Sequence, residues 1–294
     1  MRILRLISTM LLVCMMFSGC TTAEKEKIIV GSKDFPEQFI LGNMLVLLIE
    51  EHTDFAVIYR ENMASHIIFA AIDTGAVDLY IDYTGTVYGY YLIHSETKPA
   101  EEVFDISSRE LMERHNIRML GQLGFNNSYN LAVRQNTAEE FNLRTISDLA
   151  KVSSDMIFGG SSEIINRNDG LPNLKRLYDM SFKEERDLHD TERFHAISKN
   201  EIQVSEVFTT DALIKDFNLV VLEDDLQFFP PYQGVVLIRN EIAEKHPELI
   251  EILGRLEGLL TDDIVRELNF RVVVMNESPR AAAEFFLLEN GLIR

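Results

Sequence analysis

Lys27-Ile28-Ile29-Val30-Gly31-Ser32 runs straight into Lys33-Asp34-Phe35-Pro36-Glu37-Gln38, and this stretch decides the fold class. Lys27–Val30, with its apolar triplet, reads as a short buried strand ended by Gly31-Ser32. Pro36 and Glu37 then open a helix, because proline suits a first helical turn. Phe39, Ile40, Asn43, Met44, Leu47 and Leu48 recur at helical spacing, so one face is expected to be core. Phe55 to Tyr59 reads as a second strand, and Ala64 to Asp73 as a helix that stops before Gly75. Asp78 to Tyr83 alternates as a strand and breaks at Thr84-Gly85-Thr86. Strand, helix, strand, helix is the pattern of an α/β domain with a largely parallel sheet.

The alternation continues. Leu131–Val133, Met156–Phe158, Leu219–Leu222 and Val235–Ile238 read as strands, and Ile146–Ala150 and Leu174–Tyr178 as helical. Phe228-Phe229-Pro230-Pro231 must be extended, since proline restricts itself and its predecessor. Helices are expected over Pro247–Leu260, Asp262–Leu268 and Arg280–Leu288. No segment has the composition of a long linker, so two lobes would be joined by extended crossings.

The 294 residues are 46% hydrophobic and 26% charged, enough for two lobes with real cores. A formal net charge of −19 argues against a nucleic-acid partner, whose phosphates need a Lys/Arg surface. Arg2 and Arg5 precede an apolar run from Ile7 to Phe17, a secretory leader too short for a stable membrane span. Ser18-Gly19-Cys20 after it resembles the lipobox of bacterial lipoproteins, with Phe17 where leucine is usual. That resemblance implies cleavage before Cys20 and lipidation of its thiol. Residues 21–27 read as a polar tether. Only Cys14 and Cys20 are cysteines, so the folded part has no thiols for a zinc cluster or a disulfide framework.

Six segments, in order, resemble the glycine betaine/choline-binding proteins of bacterial and archaeal osmoprotectant ABC importers. They are Gly31–Gln38, Asp78–Thr86, Leu123–Tyr129, Arg167–Pro172, Phe208–Asp211, and Leu222–Asp225 with Phe228–Tyr232. The resemblance implies a two-lobed periplasmic-binding-protein fold of type II with two crossings. Residues 28–126 and 233–294 would form lobe one, and 127–232 lobe two. The ligand would lie in the cleft between them, and a hinge would close the lobes on it. It further implies an extracytoplasmic, lipid-anchored, monomeric protein that serves an ABC permease and needs no cofactor.

A quaternary ammonium has no N–H to donate, so aromatic faces must hold it. Carried over from the family's motifs, the cage is Tyr83, Tyr129, Phe208 and Tyr232, with phenylalanine at a position where tyrosine is common. Arg167 matches the arginine that pairs with a betaine carboxylate, a short charge-assisted contact. Lys33 and Thr86 match secondary carboxylate contacts, and Asn127 a backbone carbonyl facing the cationic head. His66 departs from the small residues that relatives carry near the ligand's tail. It could bond a hydroxyl or carboxylate, or be an exposed helix-start histidine. Phe194-His195 replaces a common Tyr-Gln, as a change of local packing.

Glycine betaine or carnitine fits this set best, since choline would leave Arg167 unpaired; ergothioneine, a larger betaine, is the further candidate. A structural or regulatory lipoprotein without ligand is the reading from another class. The chain has no Gly-x-Ser-x-Gly elbow, His-Glu-x-x-His pair or phosphate loop, and it is not expected to be an enzyme.

Overall fold

The computed structural model describes residues 25–166, 170–188 and 190–294. The expected leader, Cys20, Arg167 and residues 21–24 of the tether lie outside the described residues. Among the described residues ten strands form two five-stranded sheets. They are β1 (Lys27–Lys33), β2 (Ala56–Met63), β3 (Leu79–Tyr83), β4 (Ile117–Asn126), β5 (Tyr129–Arg134), β6 (Ile157–Gly160), β7 (Glu184–Asp187), β8 (Val204–Phe208), β9 (Leu219–Val221) and β10 (Gln233–Arg239). The strand orders are β2-β1-β3-β10-β4 and β7-β6-β8-β5-β9.

The two sheets share one plan. β2, β1 and β3 run parallel, and so do β7, β6 and β8. The strand that enters from the other sheet, β10 in the first and β5 in the second, pairs antiparallel to its neighbours on both sides. The carboxyl ends of the parallel strands therefore lie near the crossings, where open α/β sheets place their ligands.

Alternation sends β10 side chains to opposite faces: Val236 and Ile238 into one core cluster, Val235 and Leu237 into another. The Pro36–His52 helix is buried almost all round, not on one face. Ile40, Leu41, Met44, Leu45, Leu48 and Ile49 are each at most 1% exposed. The sheet covers one side, and the Pro247–Gly254, Asp262–Val273 and Pro279–Glu289 helices cover the rest. β1 starts at Lys27, as expected, but runs on through Gly31 and Ser32 to Lys33, and the preceding Glu26 pairs with Lys245 and His246.

The two crossings, Asn126–Ser128 and Pro230–Gln233, are bonded to each other. Asn127 N donates to Tyr232 O at 3.0 Å, Tyr232 N to Asn126 Oδ1 at 2.6 Å, and Ser128 Oγ to Pro230 O at 3.1 Å. Thr84 Oγ1 donates to Pro231 O at 3.1 Å, and Gln233 N donates to Thr84 Oγ1. Gly85 lies under this clasp. A Cβ there would stand 2.7 Å from Pro231 O and 2.9 Å from the Tyr232 ring.

A buried ion pair locks β1 to β3. The Lys33 ammonium meets Asp82 with side-chain exposures of 4% and 0%. Asp82 also accepts the Tyr80 and Tyr91 hydroxyls at 2.8 and 2.9 Å and the Tyr83 N–H at 2.7 Å. A wide turn of π-helix over Thr86–Tyr91 brings Tyr91 back to this carboxylate. Burial, followed by the Asp82 charge, pushes the Tyr80 and Tyr91 phenols up, so both stay protonated donors.

Asp82→Asn would leave Lys33 buried without its partner, and such losses cost about 3–5 kcal/mol. Urea unfolding should show that drop. Gly85→Ala should cost about 1–3 kcal/mol by overpacking the clasp, read as a lower unfolding midpoint. An unchanged midpoint would mean that the crossings can move apart freely.

Candidate functional site

The aromatic residues singled out in the sequence come from both sheets and gather at the crossings. Tyr129 opens β5 and pairs in register with Phe208, the last residue of β8. Their rings stand 4.6 Å apart at 39°, and Phe229 follows at 6.4 Å from Tyr129. Such cross-strand neighbours share a sheet face. Tyr232 lies in the second crossing, its backbone held by Asn126 and its ring against Gly85. Tyr129, Phe208 and Tyr232 are all half-buried. Tyr83 closes β3 and is 5% exposed.

Tyr83 is tied to the crossing through Glu37. The Tyr83 hydroxyl donates to Glu37 Oε1 at 2.6 Å, and Asn127 Nδ2 donates to the same oxygen at 2.9 Å. Asn269 Nδ2 bridges Glu37 Oε2 and Thr210 O, both at 2.9 Å. Burial, then the Glu37 charge, holds the Tyr83 phenol well above its ordinary range, so it remains a donor.

The second sheet fixes Phe208 with its own polar cluster. Asp211 accepts the Phe208 N–H at 2.9 Å and an Arg193 guanidinium nitrogen at 3.4 Å. Arg193 also donates to Glu206 O, while the Glu206 carboxylate accepts from Ser161 N and Oγ. Burial raises the carboxyl pKa of both Asp211 and Glu206. Thr209 links the sheets: its N–H reaches Ser128 O, its hydroxyl reaches Asn126 O, and its carbonyl accepts from Arg266.

The remaining expected residues divide. Thr86 is half-buried at the start of the π-turn beside Gly85. Asn127 places its side chain on Glu37 as well as its backbone at the crossing. Lys33 is committed to Asp82, with its ammonium 5.0 Å from the Tyr83 ring centroid, and Phe35 stacks on that ring at 6.4 Å. His66 is exposed in the first turn of the Ser65–Asp73 helix. Phe194 and His195 both pack on Phe217.

Sequence reasoning did not single out Glu37, Asp82, Thr209 or Asn269 as site residues. For Glu37 there was a signal, an acid in a proline-opened first turn close behind Lys33. A cavity of about 610 Å³ bordered by Asn126, Gln233, Asp262, Asp263 and Arg266 lies beside the crossings, and none of Tyr83, Tyr129, Phe208 and Tyr232 lines it. Among the described residues no cluster could hold a metal ion, and no helix is long and apolar enough to cross a membrane.

Comparison with known proteins agrees with this architecture. The chain is 34% identical over 270 residues to an ergothioneine transport permease/ergothioneine binding protein of Helicobacter pylori, covering 92% of this chain but 48% of that longer protein. It is 31% identical over 292 residues to a carnitine transport binding protein of Listeria monocytogenes, covering 98% and 95%. A crystal structure of a glycine betaine/carnitine/choline ABC transporter component superposes with a TM-score of 0.87 at 28% identity, over 90% of this chain and 99% of that one. Residues 26–289 match a family of transport components, not of enzymes: the chain belongs to the family of substrate-binding domains of ABC-type glycine betaine transport systems.

Proposed function

We propose that this protein captures a trimethylammonium carboxylate of the glycine betaine or carnitine type outside the cytoplasm and hands it to an ABC permease. The observation that carries the reading is the convergence at the crossings of aromatic rings from both sheets: Tyr129 and Phe208 from one, Tyr83 from the other, and Tyr232 between them. A cage assembled from two lobes is complete only when the lobes approach, which couples capture to a shape the permease can read. Each ring contributes about 0.5–2 kcal/mol to a desolvated cation. Arg167, in the segment between the Ser162–Asn166 helix and Gly170, is the partner for the carboxylate. The lobes are residues 28–126 with 233–294, and 127–232. A lipid on Cys20 holds the protein, as a monomer, at the membrane.

The test is calorimetry on protein refolded from denaturant to strip carried-over solute. Glycine betaine, carnitine, choline and ergothioneine are titrated in turn. Micromolar binding of a carboxylated trimethylammonium compound is expected. Folded protein that gives no heat with any of the four would sink the proposal. Tyr232→Ala should weaken binding by at least about tenfold through the loss of one cage wall. Arg167→Ala should weaken carboxylated ligands by about tenfold or more and choline little; equal losses would remove the carboxylate role.

A further inference from the structure

Among the described residues, no side-chain cation pairs with the buried carboxylate of Glu37. The residue is 4% exposed, and its partners are the Tyr83 hydroxyl, Asn127 Nδ2 and Asn269 Nδ2, all neutral. The direction of the first bond is settled by Gln38, whose Nε2 donates to the Tyr83 oxygen at 3.0 Å and leaves the phenol proton for Glu37. In all three contacts Glu37 is the acceptor, the arrangement that suits a carboxylate.

The surrounding charges do not cancel it. Lys33, the cation over the Tyr83 ring, is matched by Asp82. Arg193, in the other lobe, already faces Asp211. The Pro36–His52 helix adds about half a positive charge at its N-terminus, where Glu37 sits, and that is less than one. Two further acceptors, Asn127 Oδ1 and Asn269 Oδ1, are buried with no donor. Both belong to amides whose nitrogens are committed to Glu37, and Asn269 Nδ2 also serves Thr210 O, so neither can turn without facing acceptor to acceptor. The wall between Tyr83 and the crossing thus carries surplus negative charge in a dry setting, where an unpaired charge is costly.

We propose that Glu37 is the counter-charge for the cationic head of the solute, acting through the Tyr83–Asn127 wall, and that it selects a cation over a neutral molecule of the same shape. The inference rests on the cage reading above. The hydroxyl-to-carboxylate bond feeds electron density into the Tyr83 ring, and the carboxylate itself adds attraction that water does not screen.

The experiment compares glycine betaine with tert-butylacetate, its isostere with carbon in place of the ammonium nitrogen. Both are titrated, directly or in competition with the tightest of the four solutes, into wild-type protein, Glu37→Gln and Tyr83→Phe. Wild type should prefer glycine betaine. Glu37→Gln should shrink that preference by about ten- to thirtyfold, with a modest fall in the apo melting midpoint, because the unmatched buried charge is gone while the new amide nitrogen meets one buried donor. Tyr83→Phe removes the connecting hydroxyl and should shrink the preference too, which keeps the test alive if Glu37→Gln folds poorly. A preference that survives both substitutions overturns the role of Glu37 while leaving the cage intact. A large fall in the apo midpoint with equal loss of both compounds makes Glu37 a packing residue and also overturns it. A wild type that binds no trimethylammonium compound ends the cage reading itself.

Discussion

Asn126 is the residue on which the cleft depends. Its backbone N–H is capped by Asp262 at 2.8 Å, its side-chain oxygen holds the Tyr232 N–H at 2.6 Å, and its carbonyl accepts the Thr209 hydroxyl. Those three bonds join the end of β4, the second crossing, the end of β8 and the Asp262–Val273 helix. Extended crossings lack the neighbours that satisfy backbone groups inside a sheet, and buried polar groups left unmet are costly. One asparagine meets the need at the point where both lobes leave the hinge. Tyr232 and Phe208 are placed by the same bonds, so the aromatic wall and the hinge are one construction.

The α/β class was legible because the first strand and helix obey simple periodicities. That Tyr83, Tyr129, Phe208 and Tyr232 gather at the crossings was expected only through resemblance, since an isolated tyrosine carries no positional signal. Other elements were hidden for physical reasons. The Ala100–His115 helix buries only Val103, Ser107 and Leu111, a narrow stripe in a heavily charged segment. β4 carries Gly121 and Gly124, which interrupt its apolar pattern. The structure needs both inside the strand: a Cβ on Gly121 would strike the Glu257 carboxylate, and Gly124 has φ +112° beside Leu260 O. The one-face reading of Pro36–His52 failed because helices from the far end of the chain cover its other sides. Short-range periodicity cannot report packing over that separation.

The two acids nearest Tyr83 divide the work of the site. Asp82 faces a lysine, two phenols and a backbone N–H, so its charge is spent on holding β1, β3 and the π-turn together. That makes it scaffold, and it holds the Lys33 ammonium beside the Tyr83 ring. Among the described residues Glu37 faces only neutral donors, and its charge is left over. A receptor for a cation that cannot donate hydrogen bonds has few ways to prefer charge over shape. Aromatic faces supply modest attraction, and a bare carboxylate against the methyl groups would bring water with it. A carboxylate set behind a tyrosine, within the dry interior, contributes its field without its hydration shell. On the proposed reading the rings would select the solute's shape, and the buried acid the sign of its charge.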